Sequence, residues 1–556
     1  MKPVQYGIIV PSPSYNPYKL IGLNVSMNDE FDALVNDVFY TFLEHRPDLG
    51  TALGLHQYDT DLPSGTQDFH LQYIQMIADF REKFREFEGE KLSSERNIDW
   101  KLMISILNVH YFNENTLRLW EKDPDISEMI GFAILPLFVR EFSPLEDRIN
   151  SITSRMEKFP QIIENFKQKI KNPPPLWRNM AKEPCETLPL FFQIIIKTAQ
   201  KAGVDTADLS EAATCTAEHL DDYKTWLDTL ECEGEPITGK EHFEELLKVR
   251  ELGLSADDIL SIGQEYLHNE TQHLTELAHA INPSVTVEEV RDSIRSDHPP
   301  TFSDTLEEYT RALAFTRKVV SENQFASIPK GERLKVEETP VFLRYIIPVA
   351  AYFSPAKFEK DQMGIYFVTP VEGNALGEHN HAAILNTSAH EAYPGHHLQN
   401  VCANGHPSLV RALSQAPEFS EGWAHYCEER MREYGMNDLA IQFIQTIDVI
   451  FRAVRIIVDV NLHTGRMSFE EAVSFIEAKT GIDHQVAVAE VKRYTKTPSY
   501  PLSYLLGKHL LLQLQQDVKA HMRERYSEKA FHDVLLQGGT IPFSFVREEL
   551  RLRGML

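Results

Sequence analysis

The chain has 556 residues, enough to bury a large core, with 42% hydrophobic and 25% charged residues, the balance of an ordinary globular protein. Its formal net charge of −27 argues against a nucleic-acid partner, because binding phosphate backbones needs clustered Lys and Arg. Five cysteines, Cys185, Cys215, Cys232, Cys402 and Cys427, form no CxxC pair. That removes a cysteine zinc site and predicts free thiols in a reducing compartment.

Along the chain, the N-terminal apolar run stops at Pro11, too short for a signal-peptide core. No uninterrupted apolar stretch is long enough to cross a bilayer. The expectation is a cytoplasmic protein with no membrane partner. Apolar residues three and four apart predict helices over Phe31–Glu44, Leu71–Phe87, Trp100–Trp120, Ile149–Ile170 and Leu188–Ala202. The same pattern predicts helices over Ala256–Ile281, Thr305–Asn323 and Leu439–Thr464. Asn172-Pro173-Pro174-Pro175 and Asp297-His298-Pro299-Pro300 punctuate these blocks. Pro340, Pro348, Pro355, Pro370 and Pro394 make the middle irregular, and Gly364–Pro370 is the best strand. The fold class is therefore mainly α, with two tightly packed lobes and a small β element. Residues 1–300 form a helical scaffold and residues 301–556 carry the chemistry.

The chemistry centres on His390-Glu391-Ala392-Tyr393-Pro394-Gly395-His396-His397. Ser388 and Glu391 stand in capping-box spacing, with Asn386 or Thr387 as alternative caps, so His390 and Glu391 are expected in the first turns of a helix. In the His-Glu-x-x-His motif, two histidines four apart bind zinc and the Glu is the general base. Here Pro394 occupies the place of the second histidine, and the next imidazoles are His396 and His397. In a straight helix His396 would point away from His390, and His397 would lie about 10 Å further along. Pro394 and Gly395 predict a bulge or kink that brings His396 back to the expected place. Glu421, 25 residues after His396, is expected to open a second helix capped by Ser420 and to supply a carboxylate. Two histidines and one carboxylate leave a fourth position for water, the mark of a catalytic zinc, one per chain.

The string His-Glu-x-x-Pro-Gly-His-His-x-Gln, followed by Glu-Gly-Trp-Ala-x-Tyr, resembles the DUF885 family. Arg46–Leu55, Tyr504-Leu505-Leu506-Gly507-Lys508 and Phe531–Gly539 are similar to that family's outer segments. The resemblance implies a large helical fold like the gluzincin metallopeptidases, of the thimet oligopeptidase and M32 carboxypeptidase groups. It implies His390, His396 and Glu421 as metal ligands, Glu391 as general base, and His397 as a neighbour of the ligands or a substrate contact. It also implies short peptides as substrates. By analogy with related peptidases, the 364–370 strand would be an edge that pairs with substrate, with Tyr366 and Phe367 lining it.

Further candidates flank this core. Arg455, Asp459 and His463 sit four apart on one helix face. Asp459 is positioned to orient His463, and His463 to steady a charged intermediate. Arg452, Arg455 or Lys508 could grip a substrate carboxylate. Tyr504, or Tyr500 as second choice, is the candidate oxyanion donor. Three other readings compete: a non-peptide amidohydrolase, a non-haem iron enzyme using the same ligands, and an inactive helical peptide-binding protein. Oligomeric state is not legible.

Overall fold

Helical periodicity becomes helix along most of the described residues. The computed structural model describes residues 26–556, except 341–343, 345–346, 348 and 372 and the side chains of 128 and 373–375. The N-terminal apolar run and Pro348 lie outside the described residues. The first helix, Met27–His45, is capped by Ser26 and buries Phe31, Val35, Val38, Phe39, Phe42 and Leu43, spaced for one face. The expected helices at 71–87, 188–202, 256–281, 305–323 and 439–464 are Gln67–Glu86, Lys182–Lys201, Ala256–Ile281, Phe302–Glu322 and Leu439–His463.

Two expected helices are broken. The 149–170 stretch divides into Leu145–Met156 and Phe159–Lys169, because Pro160 has no N–H to continue the first and suits the first turn of the second. The 100–120 stretch passes from Ser94–Tyr111 into a π-turn over Phe112–Leu117 and stops at Arg118, whose φ is 51°.

Among the described residues three strands interrupt the helices: β1 (Arg333–Glu338), β2 (Ala350–Phe353) and β3 (Met363–Val368). Their order is β1-β3-β2, with β1 parallel and β2 antiparallel to β3. The expected strand is thus β3, but it is central, not an edge. Both its ladders are filled, so it cannot pair with an extended substrate, and the edge strands are β1 and β2. Tyr366 is fully buried against Tyr309, with ring centroids 5.4 Å apart, and Phe367 is buried as well. Both are core residues, not cleft lining.

The largest hydrophobic core joins Phe31, Phe42, Leu102 and Leu107 to Tyr366, Trp423, Leu514 and Leu550, so it crosses the expected divide at residue 300. A second core is confined to residues 126–227. Among the described residues, no helix is long and apolar enough to cross a membrane.

Candidate metal centre

The helix His381–Glu391 starts at Asn380, whose side chain accepts from the Ala383 N–H. His390 and Glu391 therefore close a helix; they do not open one. The chain breaks over residues 392–395, which include a cis Tyr393–Pro394 peptide, and His396 opens the helix His396–Asn404. The expected kink is a full break between two helices. Gly395 is required there: a Cβ on it would fall 1.8 Å from the His390 carbonyl oxygen. The chain doubles back so tightly that only a hydrogen fits. Trp423 fixes the break by donating its indole N–H to the Pro394 carbonyl at 2.9 Å.

This break brings the His390 and His396 rings to 4.7 Å between centroids. Glu421 joins them from the helix Pro417–Arg430, which begins with Pro417 in place of the expected Ser420 cap. Glu421 Oε2 lies 3.8 Å from His390 Nε2 and 3.4 Å from His396 Nε2. One donor atom from each of the three residues lies within 4.8 Å of the others. A tetrahedral zinc with bonds of about 2.0–2.1 Å spaces its donors about 3.3–3.4 Å apart, so this set needs little adjustment to close on the ion.

The surroundings prepare these donors. His390 Nδ1 lies 2.6 Å from Glu428 Oε1, which holds the proton on Nδ1 and leaves Nε2 for a metal. Glu428 also meets Arg452 at 3.2 Å and His425 Nδ1 at 3.3 Å. Burial works against the Glu428 carboxylate, but Arg452, His425 and His390 outweigh it and hold its pKa well below the usual range. Tyr500 donates its hydroxyl to Glu421 Oε1 at 3.1 Å. Burial depresses His396, and the adjoining Glu421 reverses that and raises it to about 9. Burial opposes the Glu421 charge, yet His396 and His390 pull its pKa down to about 2. Beside the cluster, Glu391 Oε2 accepts the backbone N–H of Tyr352 on β2 at 3.2 Å.

Residues 47–550 match the family described as bacterial protein of unknown function (DUF885). The chain belongs to the DUF885 family. Two solved structures share the fold of this DUF885 protein. One, a "putative lipoprotein of unknown function" from Shewanella oneidensis, has 20% identity and a TM-score of 0.77, covering 95% of this chain and 100% of its own. The other, a "putative lipoprotein" from Colwellia psychrerythraea, has 18% identity and a TM-score of 0.78, covering 95% and 99%. Among proteins with curated functions, none matches. The lipoprotein descriptions of both neighbours overturn the expectation of a cytoplasmic protein, which rested on the short apolar run before Pro11, the lack of a bilayer-spanning stretch and the scattered cysteines.

The remaining candidates of this DUF885 protein divide by position. Tyr504 lies edge-on to Tyr500, with centroids 6.0 Å apart, and burial and Glu421 both raise its pKa, keeping the phenol a donor. Arg452 and Arg455 face the Tyr504 ring at 6.0 and 4.9 Å. Arg455 pairs with Glu490 at 3.0 Å and Lys508 pairs with Glu429 at 2.5 Å, so each already holds a carboxylate. His463 is not with the cluster. It is fully buried, its Nδ1 3.1 Å from the Thr238 hydroxyl and its Nε2 3.0 Å from the Tyr494 carbonyl. Asp459, 3.6 Å from His463, accepts the Ser499 N–H at 3.2 Å and so anchors the turn before Tyr500. His397 faces away from the donors, toward Glu332 at 2.7 Å and the Tyr352 hydroxyl at 3.1 Å. Burial opposes the Glu332 charge, but His397, Tyr393 and Arg317 lower its pKa to about 2. Glu428, Glu332 and Tyr352 escaped the sequence reading. Only Glu428 left a signal, seven residues after Glu421 and so two turns along the same helix face.

Proposed function

We propose that this protein is a single-zinc hydrolase that cleaves amide bonds, with short peptides as its substrates. The observation that carries this reading is the convergence of His390, His396 and Glu421 donor atoms within 4.8 Å, with Glu391 next in sequence to the first of them. His390, His396 and Glu421 would hold the ion. When bound, zinc supplies Lewis acidity, lowering the pKa of water and polarising a carbonyl.

The chain's own groups perform the proton work. Glu391 Oε2 is engaged by the Tyr352 N–H, which leaves Oε1 to take a proton from the attacking water. The water oxygen bonds to the acyl carbon, the C–N bond breaks, and Glu391 returns the proton to the leaving amine. Tyr504 donates to the oxyanion, with Tyr500 holding Glu421 in place.

The test is the metal content of the purified protein beside His390→Ala and Glu391→Gln. One zinc per chain in the wild type and in Glu391→Gln, lost in His390→Ala, is expected. Peptide turnover in Glu391→Gln should fall by at least about 100-fold. A wild type that takes up no zinc overturns the reading. Iron in its place would move the site to oxygen chemistry.

A further inference from the structure

His397 stands next to a proposed ligand yet turns its back on the donor cluster. Its side chain is 0% exposed, and both ring nitrogens are engaged. Nε2 donates to the Glu332 carboxylate, so in the neutral ring Nδ1 is left to accept the Tyr352 hydroxyl. Glu332 precedes β1 by one residue, and Tyr352 lies on β2. The third strand is also involved. A Cβ on Gly364 of β3 would fall 2.8 Å from His397 Nδ1 and 2.8 Å from Tyr352 Cε2. The imidazole therefore occupies the space that a side chain at Gly364 would fill.

One ring thus touches β3, bonds to β2 and bonds to the residue leading into β1, from the helix that His396 opens. Glu332 is itself held by Arg317 at 2.8 Å and by the Tyr393 hydroxyl, which sits in the break between the two histidine helices. The same residue, Tyr352, gives its hydroxyl to His397 and its backbone N–H to Glu391.

We infer that His397 is a positioning residue that pins the three-stranded sheet to the His396–Asn404 helix and so sets the Tyr352 N–H on Glu391. The effect on turnover rests on the hydrolase reading; the pin itself does not. It has a mechanical logic. The donor cluster is held by helices, but the orientation of Glu391 depends on a strand at the edge of a small sheet. Without a tie between the two, Glu391 Oε1 would lose its fixed bearing while the metal stayed in place.

The experiment compares Tyr352→Phe, His397→Phe and His397→Gln in the full chain, reading zinc content, amide hydrogen exchange of residues 350–353, and kcat and KM separately. Tyr352→Phe removes a single oxygen and should fold normally. In Tyr352→Phe and His397→Phe, zinc should stay at one per chain while exchange over 350–353 rises by about tenfold. Turnover should drop about 10- to 100-fold in kcat with KM within about twofold. His397→Gln restores a donor toward Glu332 and should recover part of both effects. Unchanged exchange in Tyr352→Phe and His397→Phe overturns the pin. Loss of zinc in His397→Phe alone, with Tyr352→Phe silent, overturns it in favour of a ligand role. If the wild type cleaves no peptide, the hydrolase reading fails, and exchange still decides the pin.

Discussion

Gly422 and Gly507 meet backbone to backbone, one residue beyond Glu421. A Cβ on Gly422 would fall 2.4 Å from the Gly507 carbonyl carbon, and one on Gly507 would fall 1.8 Å from the Glu418 carbonyl oxygen. The helices Pro417–Arg430 and Ser503–Met522 cross at this point, which presses Glu421 toward Tyr500 and Tyr504.

Gly507→Ala must force those helices apart. Overpacking of this kind costs about 1–3 kcal/mol, and Glu421 moves with the displaced helix. Chemical denaturation should show the loss, and a zinc titration should show weaker binding. Gly131→Ala is the control: nothing lies within 4 Å of its added Cβ, and the helical site should gain about 0.4–1 kcal/mol.

Glu428→Gln should weaken zinc by about 10-fold without unfolding the protein, since the negative charge behind His390 is lost while an acceptor and the proposed ligands remain. Competition with a chromophoric chelator measures this directly. Equal affinity in the variant would show that His390 needs no charged partner on Nδ1.

Zinc binding should release a proton. In the metal-free protein His396 is raised to about 9 and pairs with Glu421, so at neutral pH its imidazole is charged and must lose a proton to bind metal. Calorimetry in buffers of different ionisation enthalpy should give close to one proton per zinc at pH 7, declining as pH passes about 9. Apparent affinity should rise with pH over the same range and then level off.

Asp459 gives a stability effect of definite sign. Burial raises its carboxyl from 3.8 to about 8, against the opposing Ser499 N–H. The folded protein therefore binds more protons than the unfolded chain between those values, and stability contributed by this group falls as pH rises from 3.8 to about 8. Asp459→Asn, neutral throughout, should gain on the wild type across that window. Denaturation at pH 5 and pH 8 should show the gap widening with pH.

The convergence of His390, His396 and Glu421 was legible because Pro394 and Gly395, lying between the two histidines, predict a kink that folds one ring back toward the other. Helix boundaries were not. Asn386, Thr387 and Ser388 read as capping residues, yet they lie inside a helix that begins at His381. Asn386 is buried and bonded to Glu428, Asp448 and Gln445, so tertiary bonds overrule its weak helix propensity. The Asp459–His463 spacing was read correctly as one helix face, but spacing does not say what that face meets, and it meets Thr238 and Tyr494. Glu332 and Tyr352 reach the centre from segments 65 and 45 residues before His397, and no local pattern marks them.

A core built from both ends of the chain also bears on how the polypeptide tolerates being cut. Phe31, Phe42 and Leu107 are packed with Trp423, Leu514 and Leu550, while all three donor residues come from the later part. A nick at the Asp297–Pro300 linker should therefore leave two fragments that remain associated and travel as one species in gel filtration. They should separate only in denaturant. The fragment holding the donors, made alone, lacks the Phe31–Leu107 side of that core and should aggregate until the other piece is supplied.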